Sequence, residues 1–144
     1  MTNIEIQHVD GLNGTPAARL SVMGWLDVDE RGLGEPGGVL NMGWNFKAFI
    51  AIARNGQEKI PVGVLTYDFL EHTKTVFLLQ AYTIPEFRGR GVYTALFAAA
   101  VEKAAEIKAP RIMLGTHPRN AAMREIAAKH GGRETCITVT FEVG

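Results

Sequence analysis

Two arginines alternate with two glycines in the middle of the chain, in the order Arg88, Gly89, Arg90 and Gly91. An apolar β-type run precedes them, and an alanine-rich helical segment follows. Glycines at this point leave backbone N–H groups uncovered where a helix presents its unpaired donors and the positive end of its dipole. Such a helix end binds phosphate, and two guanidinium groups would add fixed positive charge. The sequence therefore indicates an anion site, with an ordinary glycine turn and solvated arginines as the alternative.

Two familiar phosphate loops are excluded by the spacing. The segment Gly89-x-Gly91-x-x-Thr94 lacks the third glycine of the dinucleotide fingerprint, and no Gly-Lys-Ser/Thr follows it, as a nucleoside triphosphate loop requires. Once these two motifs are excluded, the loop is characterised by Arg88, Gly91 and Tyr93, which follow a predicted strand and Pro85.

The composition predicts one globular domain that spans residues 1–144. Fifteen basic residues balance fifteen acidic ones, so no overall field attracts nucleic acid or an anionic membrane, and neither is expected as a partner. We expect a cytoplasmic protein, because the sequence shows neither a signal peptide nor a long apolar span. Cys136 is the single cysteine, and no His, Asp and Glu spacing indicates a metal site.

The apolar pattern predicts the elements that position the loop. Asn55-Gly56 marks a hairpin, and Pro61 and Gly63 indicate an edge strand or a bulge. In the first helix, Ala17, Leu20, Met23 and Trp25 are the predicted buried residues. The predicted elements are a strand over 4–9, a helix over 16–28, a long loop over 29–45, antiparallel strands over 46–53, 60–66 and 75–83, a helix from Val92 closed by Pro110, a parallel strand over 111–116, a helix from Asn120 to Gly131, and a final strand over 134–143.

The loop from Arg88 to Tyr93 resembles the pyrophosphate loop of the GNAT superfamily, the acyl-CoA-dependent N-acyltransferases. Arg88 and Gly91 match that motif, whereas Tyr93 stands where glycine or alanine is usual. The order of the predicted elements is also the GNAT order over nearly the whole chain. The resemblance implies an α/β fold with a mixed, mostly antiparallel central sheet, splayed between two parallel strands and flanked by helices.

A second GNAT signature lies on the last helix and is matched in part. Asn120 and Gly131 fit it, while Met123, Ala127 and Gly132 replace its alanine, tyrosine and phenylalanine. The family binds acetyl-CoA largely through backbone groups. The positions that the resemblance assigns to acetyl-CoA are Ala81, Tyr82, Thr83, Arg88, Gly89, Arg90, Gly91, Val92, Tyr93, Thr94 and Asn120.

The implied chemistry is attack of an amine on the thioester carbonyl, with a backbone N–H near Tyr82 or Thr83 stabilising the oxyanion. The amine must lose a proton, because its pKa is about 10.4 when unperturbed. Candidate bases are His117 and Glu71, with Asp68 beside the latter, and Tyr82 is the candidate acid because Ala127 replaces the family tyrosine. Two of these residues also have a purely structural interpretation. His117 would then be a solvated residue of a loop or helix start, and the ring of Tyr82 would lie in the core.

The sequence thus predicts an N-acetyltransferase that uses acetyl-CoA and acts on a primary amine of a small molecule or peptide. The alternative is an acyl-CoA-binding sensor or interaction protein with little or no turnover. A homodimer is possible, because an unpaired terminal strand would leave an edge that needs cover.

Overall fold

A computed structural model describes residues 3–33, 46–135, 139 and 141–143. Helices and strands both occur and are interspersed along the chain, which confirms the predicted α/β fold class. In chain order they are β1 (Asn3–Val9), α1 (Pro16–Glu30), β2 (Lys47–Asn55), β3 (Glu58–Leu70), β4 (Thr75–Thr83), a short 3-10 turn (Pro85–Phe87), α2 (Val92–Glu106), β5 (Arg111–Leu114) and α3 (Ala121–Lys129).

The five strands form one sheet in sequential order. The predicted antiparallel arrangement of β2, β3 and β4 is confirmed, as is the parallel pairing of β4 with β5. β1, for which no partner was predicted, pairs antiparallel with β2. The parallel pairing joins only Thr75–Leu78 to Arg111–Leu114, although β4 continues to Thr83. The two strands are therefore joined at one end and separate at the other, as expected for a splayed sheet.

The predicted hairpin between β2 and β3 is confirmed, with a shift of one residue in its turn. Asn55 pairs with Glu58, so the loop consists of Gly56 and Gln57. Only the glycine has a positive φ, 64°, which is the pattern of a type II′ turn rather than the type I′ turn that Asn-Gly favours. The predicted bulge is present as well, because Ala51 pairs with Gly63 and the next residue of β2 pairs with Pro61.

Each face of the sheet carries its own buried cluster. The cluster under α1 contains Leu12, Ala17, Leu20, Ala48, Ile50, Ile52 and Val64. The cluster under α2 contains Phe49, Ala51, Ala53, Val62, Leu65, Tyr67, Val76, Leu78, Val92, Leu96, Ala100 and Ala104. In α1 the prediction was right for Ala17 and Leu20 but wrong for Met23, which is exposed; Ser21 and Gly24 are buried instead.

A hydrogen bond between His8 and Tyr67 connects the edge strand β1 to the core. His8 Nε2 lies 2.6 Å from the hydroxyl oxygen of Tyr67, which is almost completely buried. Burial raises the pKa of Tyr67 to about 12, so the hydroxyl keeps its proton, and the tautomer of His8 decides which of the two groups donates the hydrogen bond. Burial also lowers the pKa of His8 below its usual 6.5, with Lys103 and Lys47 acting in the same direction and Asp10 and Glu106 opposing them.

The predicted final strand is not found among the residues that the structure describes. Glu134, Thr135, Val139 and residues 141–143 have no strand conformation, and the other residues of 134–143, including Cys136, lie outside the described ranges. Most of the predicted loop over 29–45 also lies outside them, because the description stops at Leu33 and resumes at Phe46. No helix in the described part of the chain is long and apolar enough to cross a membrane.

Candidate functional site

The two glycines of the central loop both adopt the left-handed backbone conformation. Gly89 has a φ of 75° and Gly91 a φ of 80°, and no atom lies within 4 Å of the Cβ that a larger residue would place at either position. The backbone conformation, rather than crowding, therefore requires glycine here. Gly91 caps α2 without a side-chain hydrogen bond, and the helix begins at Val92 as predicted. The N–H groups of the first turn of α2 thus have no partner within the helix.

Both arginines of the loop lie over aromatic rings. Arg88 donates from Nε to the carbonyl oxygen of Thr83 at 3.0 Å, and its guanidinium carbon lies 5.6 Å from the ring centroid of Tyr82. The guanidinium carbon of Arg90 lies 5.0 Å from the ring centroid of Phe87. Both side chains remain exposed. The loop therefore holds two positive charges beside the start of α2, where they reinforce the attraction of the helix end for an anion.

The end of β4 offers backbone groups on the side where β5 has stopped. Ile84 donates its N–H to the carbonyl of Val62 at 2.9 Å. Because hydrogen-bonded pairs alternate along antiparallel strands, Tyr82 also exchanges bonds with β3, and Ala81 and Thr83 turn their N–H and C=O groups toward the β5 side. The splay thus exposes alternate backbone groups, two of them in the segment that the sequence assigned to acetyl-CoA.

Tyr93, the unusual residue of the motif, lies between α2 and α3. Its ring stacks on that of Phe97, with 6.1 Å between the ring centroids, and meets the ring of His130 edge-on, with 5.7 Å between the centroids. The centroids of Phe97 and His130 are 4.9 Å apart, so the three rings form one cluster. Burial raises the pKa of Tyr93. The tyrosine ring thus packs toward α3, and none of its atoms lies within 4 Å of the Cβ position of Gly89 or Gly91.

His117 and Asn120 both form the turn that leads into α3. His117 Nδ1 accepts a hydrogen bond from the backbone N–H of Arg119 at 3.1 Å, so the neutral ring carries its proton on Nε2. Asn120 accepts from the N–H of Met123 at 3.2 Å, which confirms the predicted helix cap. Both residues follow β5 and lie beyond its pairing with β4.

Glu71 and Asp68 lie at the other end of β4. Glu71 is exposed in the turn that precedes Thr75, and Asp68 accepts a hydrogen bond from the N–H of Phe69 at 2.9 Å. The strand rises about 20 Å from Thr75 to Ala81. The structure therefore separates these two carboxylates from the loop, whereas it brings Tyr82 beside Arg88.

Two residues that the sequence analysis did not select lie in the same region. The hydroxyl of Ser21 on α1 and both amide atoms of Gln80 on β4 are buried and have no hydrogen-bond partner among the residues that the structure describes. Gln80 interrupts the apolar run of β4, and a polar residue inside such a run is the signal that could have revealed it. Within the described ranges, no group of three or more His, Cys, Asp or Glu residues could hold a metal ion.

Comparison with known proteins adds a family and a set of related folds. A family model described as the acetyltransferase (GNAT) family matches residues 22–131. No curated protein sequence matches the chain significantly.

Solved structures that share the fold include the aminoglycoside N-acetyltransferase AAC(6')-Iy in complex with a bisubstrate analogue, CoA-S-monomethyl-acetylneamine. It has a TM-score of 0.69 and 18% identity, and the alignment covers 99% of each chain. The ribosomal-protein-alanine N-acetyltransferase of Brucella melitensis biovar Abortus 2308 has a TM-score of 0.67 and 16% identity, with 98% of this chain and 100% of that chain covered. At these identities the likeness is one of fold.

Proposed function

Because the chain belongs to the acetyltransferase (GNAT) family, we propose that it transfers an acetyl group from acetyl-CoA to a primary amine of a small molecule or peptide. The transfer takes place directly, with both substrates bound together. The observation that carries this proposal is the junction of β4 and α2, where backbone groups left unpaired by the splay are followed by two left-handed glycines and a helix N-terminus.

The residues present fit the parts of acetyl-CoA. The N–H groups of Gly89, Gly91 and the first turn of α2 suit the pyrophosphate, and Arg88 and Arg90 add charge. The outward N–H and C=O groups of Ala81 and the N–H of Thr83 suit the amide-containing pantetheine arm, which would lie along β4 where β5 has ended, whereas the carbonyl of Thr83 already accepts from Arg88. From the family motif we also assign Asn120, which caps α3, to the neighbourhood of that arm. When bound, acetyl-CoA supplies an activated acetyl thioester.

The pairing of β4 with β3 also bears on which backbone N–H would stabilise the oxyanion. The sequence left open whether the N–H of Tyr82 or of Thr83 stabilises the oxyanion. The N–H of Tyr82 is used in the pairing with β3, so the N–H of Thr83 or of Ala81 is the group available on the open side. We therefore place the oxyanion against one of these two N–H groups.

Among the side-chain candidates, we assign proton donation to the departing thiolate to Tyr82. It is half-buried on the strand that carries the outward backbone groups, and the guanidinium group of Arg88 lies over its ring. His117 would have to give up its bond from Arg119 to accept a proton at Nδ1, which argues for a role in the turn. Glu71 is too distant from the loop to act directly.

The related structures support transfer to an amine without identifying the acceptor. One contains a single analogue that joins coenzyme A to an aminoglycoside fragment, and another protein of the same fold acts on the alanine of a ribosomal protein. These acceptors differ in size and type. Both accord with a primary amine as the reacting group.

The alternative, an acyl-CoA-binding protein with little turnover, is favoured by two features. Ala127 has no hydroxyl where the family motif has tyrosine, and the imidazole of His117 is already hydrogen-bonded at Nδ1. Both functions predict that acetyl-CoA binds, so binding cannot separate them.

Turnover separates the two functions. The purified protein is incubated with acetyl-CoA and a panel of primary amines, including aminoglycosides and peptides with a free N-terminus, and free thiol release is measured together with product mass. We expect thiol release that requires an amine and an acetylated product of equal amount. Release that is the same with and without amine, or no release despite acetyl-CoA binding, would contradict the proposal and support the alternative.

A further inference from the structure

Three unpaired polar atoms are enclosed between α1 and β4. They are the hydroxyl oxygen of Ser21 and the amide oxygen and nitrogen of Gln80. Each is closed off from solvent, and none has a hydrogen-bond partner within the described ranges of the chain. Buried polar atoms in folded proteins are nearly always hydrogen-bonded, and an unpaired one lowers stability. Three such atoms in one helix–strand layer therefore require an explanation, and a ligand that supplies the missing partners is one.

The packing of α1 holds the amide of Gln80 in this layer. Gly24 lies one helical turn after Ser21 on the same face, and both are buried. A Cβ at Gly24 would meet the amide nitrogen of Gln80 and would lie 2.8 Å from Cβ of Tyr82. The glycine thus brings the helix against two adjacent side chains on one face of β4.

The unpaired atoms also lie close to the place assigned to the thioester. Gln80 directly precedes Ala81, whose backbone groups turn toward the open side of the sheet. Side chains two residues apart share a face of a strand, so Gln80 and Tyr82 both point toward α1. A molecule held by Gln80 on this face would be next to the segment that faces the acetyl group.

We infer that Gln80 and Ser21 bind the acceptor nitrogen, and that they bind it as a neutral primary amine. This inference rests on the proposed function and adds the acceptor side of the same site. The amide oxygen and the hydroxyl oxygen accept hydrogen bonds from the amine N–H groups. The amine nitrogen then forms the new bond to the acetyl carbon while the bond from that carbon to sulfur breaks. The thiolate takes the hydroxyl proton of Tyr82, and the proton that the nitrogen loses restores that hydroxyl, so the products are the N-acetyl amine, the free thiol of coenzyme A and neutral Tyr82.

The surroundings explain why the neutral amine is preferred. β4 contains no acidic residue, and the acidic residues of α1 begin at Asp27, about 9 Å along the helix from Ser21. On β3, which also packs against α1, Asp68 pairs with Phe77, three residues before Gln80 along β4, and its carboxylate accepts the N–H of Phe69. Among the described residues of these three elements, none therefore places a carboxylate beside Gln80 in the register of the sheet. A buried ammonium group without a carboxylate partner is strongly disfavoured, so this environment lowers the pKa of the bound amine. The site therefore promotes loss of the proton without a dedicated carboxylate base. Because the three atoms are enclosed, entry of the amine requires α1 to move away from β4 near Gly24.

The test compares Gln80→Met and Ser21→Ala with the parent protein, using the amine that the panel shows to be acetylated most efficiently. Gln80→Met removes both amide atoms at similar length, and Ser21→Ala removes only the hydroxyl. Gln7→Met, on an exposed position of β1, is the matched control for the chemistry of the substitution. The measurements are kcat/KM for the amine, the dissociation constant of acetyl-CoA and the midpoint of thermal unfolding.

We expect Gln80→Met to lower kcat/KM for the amine at least about tenfold, because the hydrogen-bond partners of the amine are lost. The same variant should unfold about 2–4 °C higher, since it removes unsatisfied buried atoms, and should bind acetyl-CoA within about twofold of the parent. Ser21→Ala should lower kcat/KM in the same direction, and because this replacement favours the helix it keeps the test valid if Gln80→Met does not fold. Gln7→Met should leave all three quantities unchanged.

Two results would overturn the inference, and they differ in what they say about the proposed function. If the parent acetylates an amine but Gln80→Met and Ser21→Ala keep kcat/KM within about twofold, the function stands and the buried atoms are assigned to bound water. If the parent acetylates no amine, the proposed function fails, and the acceptor site fails with it.

Discussion

The left-handed conformation of Gly91 leads to a prediction about acetyl-CoA affinity. Gly91 has a φ of 80°, and no atom lies within 4 Å of the position that a Cβ would take, so Gly91→Ala introduces backbone strain without a clash. An L-residue in this conformation costs about 1–2 kcal/mol. If the alanine variant relaxes in the free protein and must regain the original backbone to bind, the dissociation constant of acetyl-CoA rises about 5- to 30-fold, because about 1.4 kcal/mol corresponds to a factor of ten.

The assay is isothermal titration with acetyl-CoA, with Gly14→Ala as the matched control. Gly14 has a φ of 73°, has nothing within 4 Å of its Cβ position, and lies in the turn before α1. Both variants should lose stability by a similar amount, but only Gly91→Ala should lose affinity. Gly91→Asn should lie between Gly91→Ala and the parent, because asparagine tolerates the left-handed region. Equal affinity for Gly91→Ala and the parent, with Gly91→Ala folded, would refute the placement of the pyrophosphate on this loop.

Three further predictions concern single side chains. Tyr93→Ala should lower the unfolding midpoint, because it removes the contacts with Phe97 and His130, but should leave acetyl-CoA affinity within about threefold; a tenfold gain in affinity would show that the tyrosine does obstruct the loop. Tyr82→Phe should lower kcat about tenfold or more if the hydroxyl donates a proton, and a change below threefold would remove it from the mechanism. The folded pKa of His8 is below 6.5, so its contribution to stability is complete above pH 6.5 and is lost as the pH falls through the folded pKa. Unfolding midpoints measured from about pH 7.5 to about pH 5 should therefore fall less steeply in His8→Gln than in the parent, and identical slopes would contradict the assignment.

The sequence predicted most of the elements that build the loop because the relevant signals are local. Glycines at a helix start, a proline after a strand, an asparagine cap and alternating apolar residues each act over a few positions. The cap by Asn120, the start of α2 and the parallel pairing of β5 followed from them. The hairpin was also predicted correctly, although its turn has the type II′ pattern, with a positive φ at Gly56 only, instead of the type I′ pattern that Asn-Gly favours.

The features that the sequence did not reveal depend on contacts between distant segments. Whether Tyr93 closes the loop depended on Phe97 and on His130 from another helix, neither of which a loop motif includes. The burial of Ser21 and Gly24 in place of Met23 depended on how closely α1 approaches β4. Residues such as Glu71 were selected for their chemistry alone, and only the direction of β4 shows how far they lie from the loop.

Thermal unfolding with and without acetyl-CoA tests the central claim most directly, with free coenzyme A and adenosine diphosphate as further ligands. A ligand at about one hundred times its dissociation constant stabilises the folded state by roughly 2.7 kcal/mol, enough to raise the midpoint by several degrees. We predict such a shift with acetyl-CoA and with coenzyme A, and its reduction by about a third to two thirds in Gly91→Ala but not in Gly14→Ala, as an affinity weaker by about 5- to 30-fold requires. No shift at millimolar acetyl-CoA, or an equal shift in both variants, would contradict a coenzyme A site at the junction of β4 and α2.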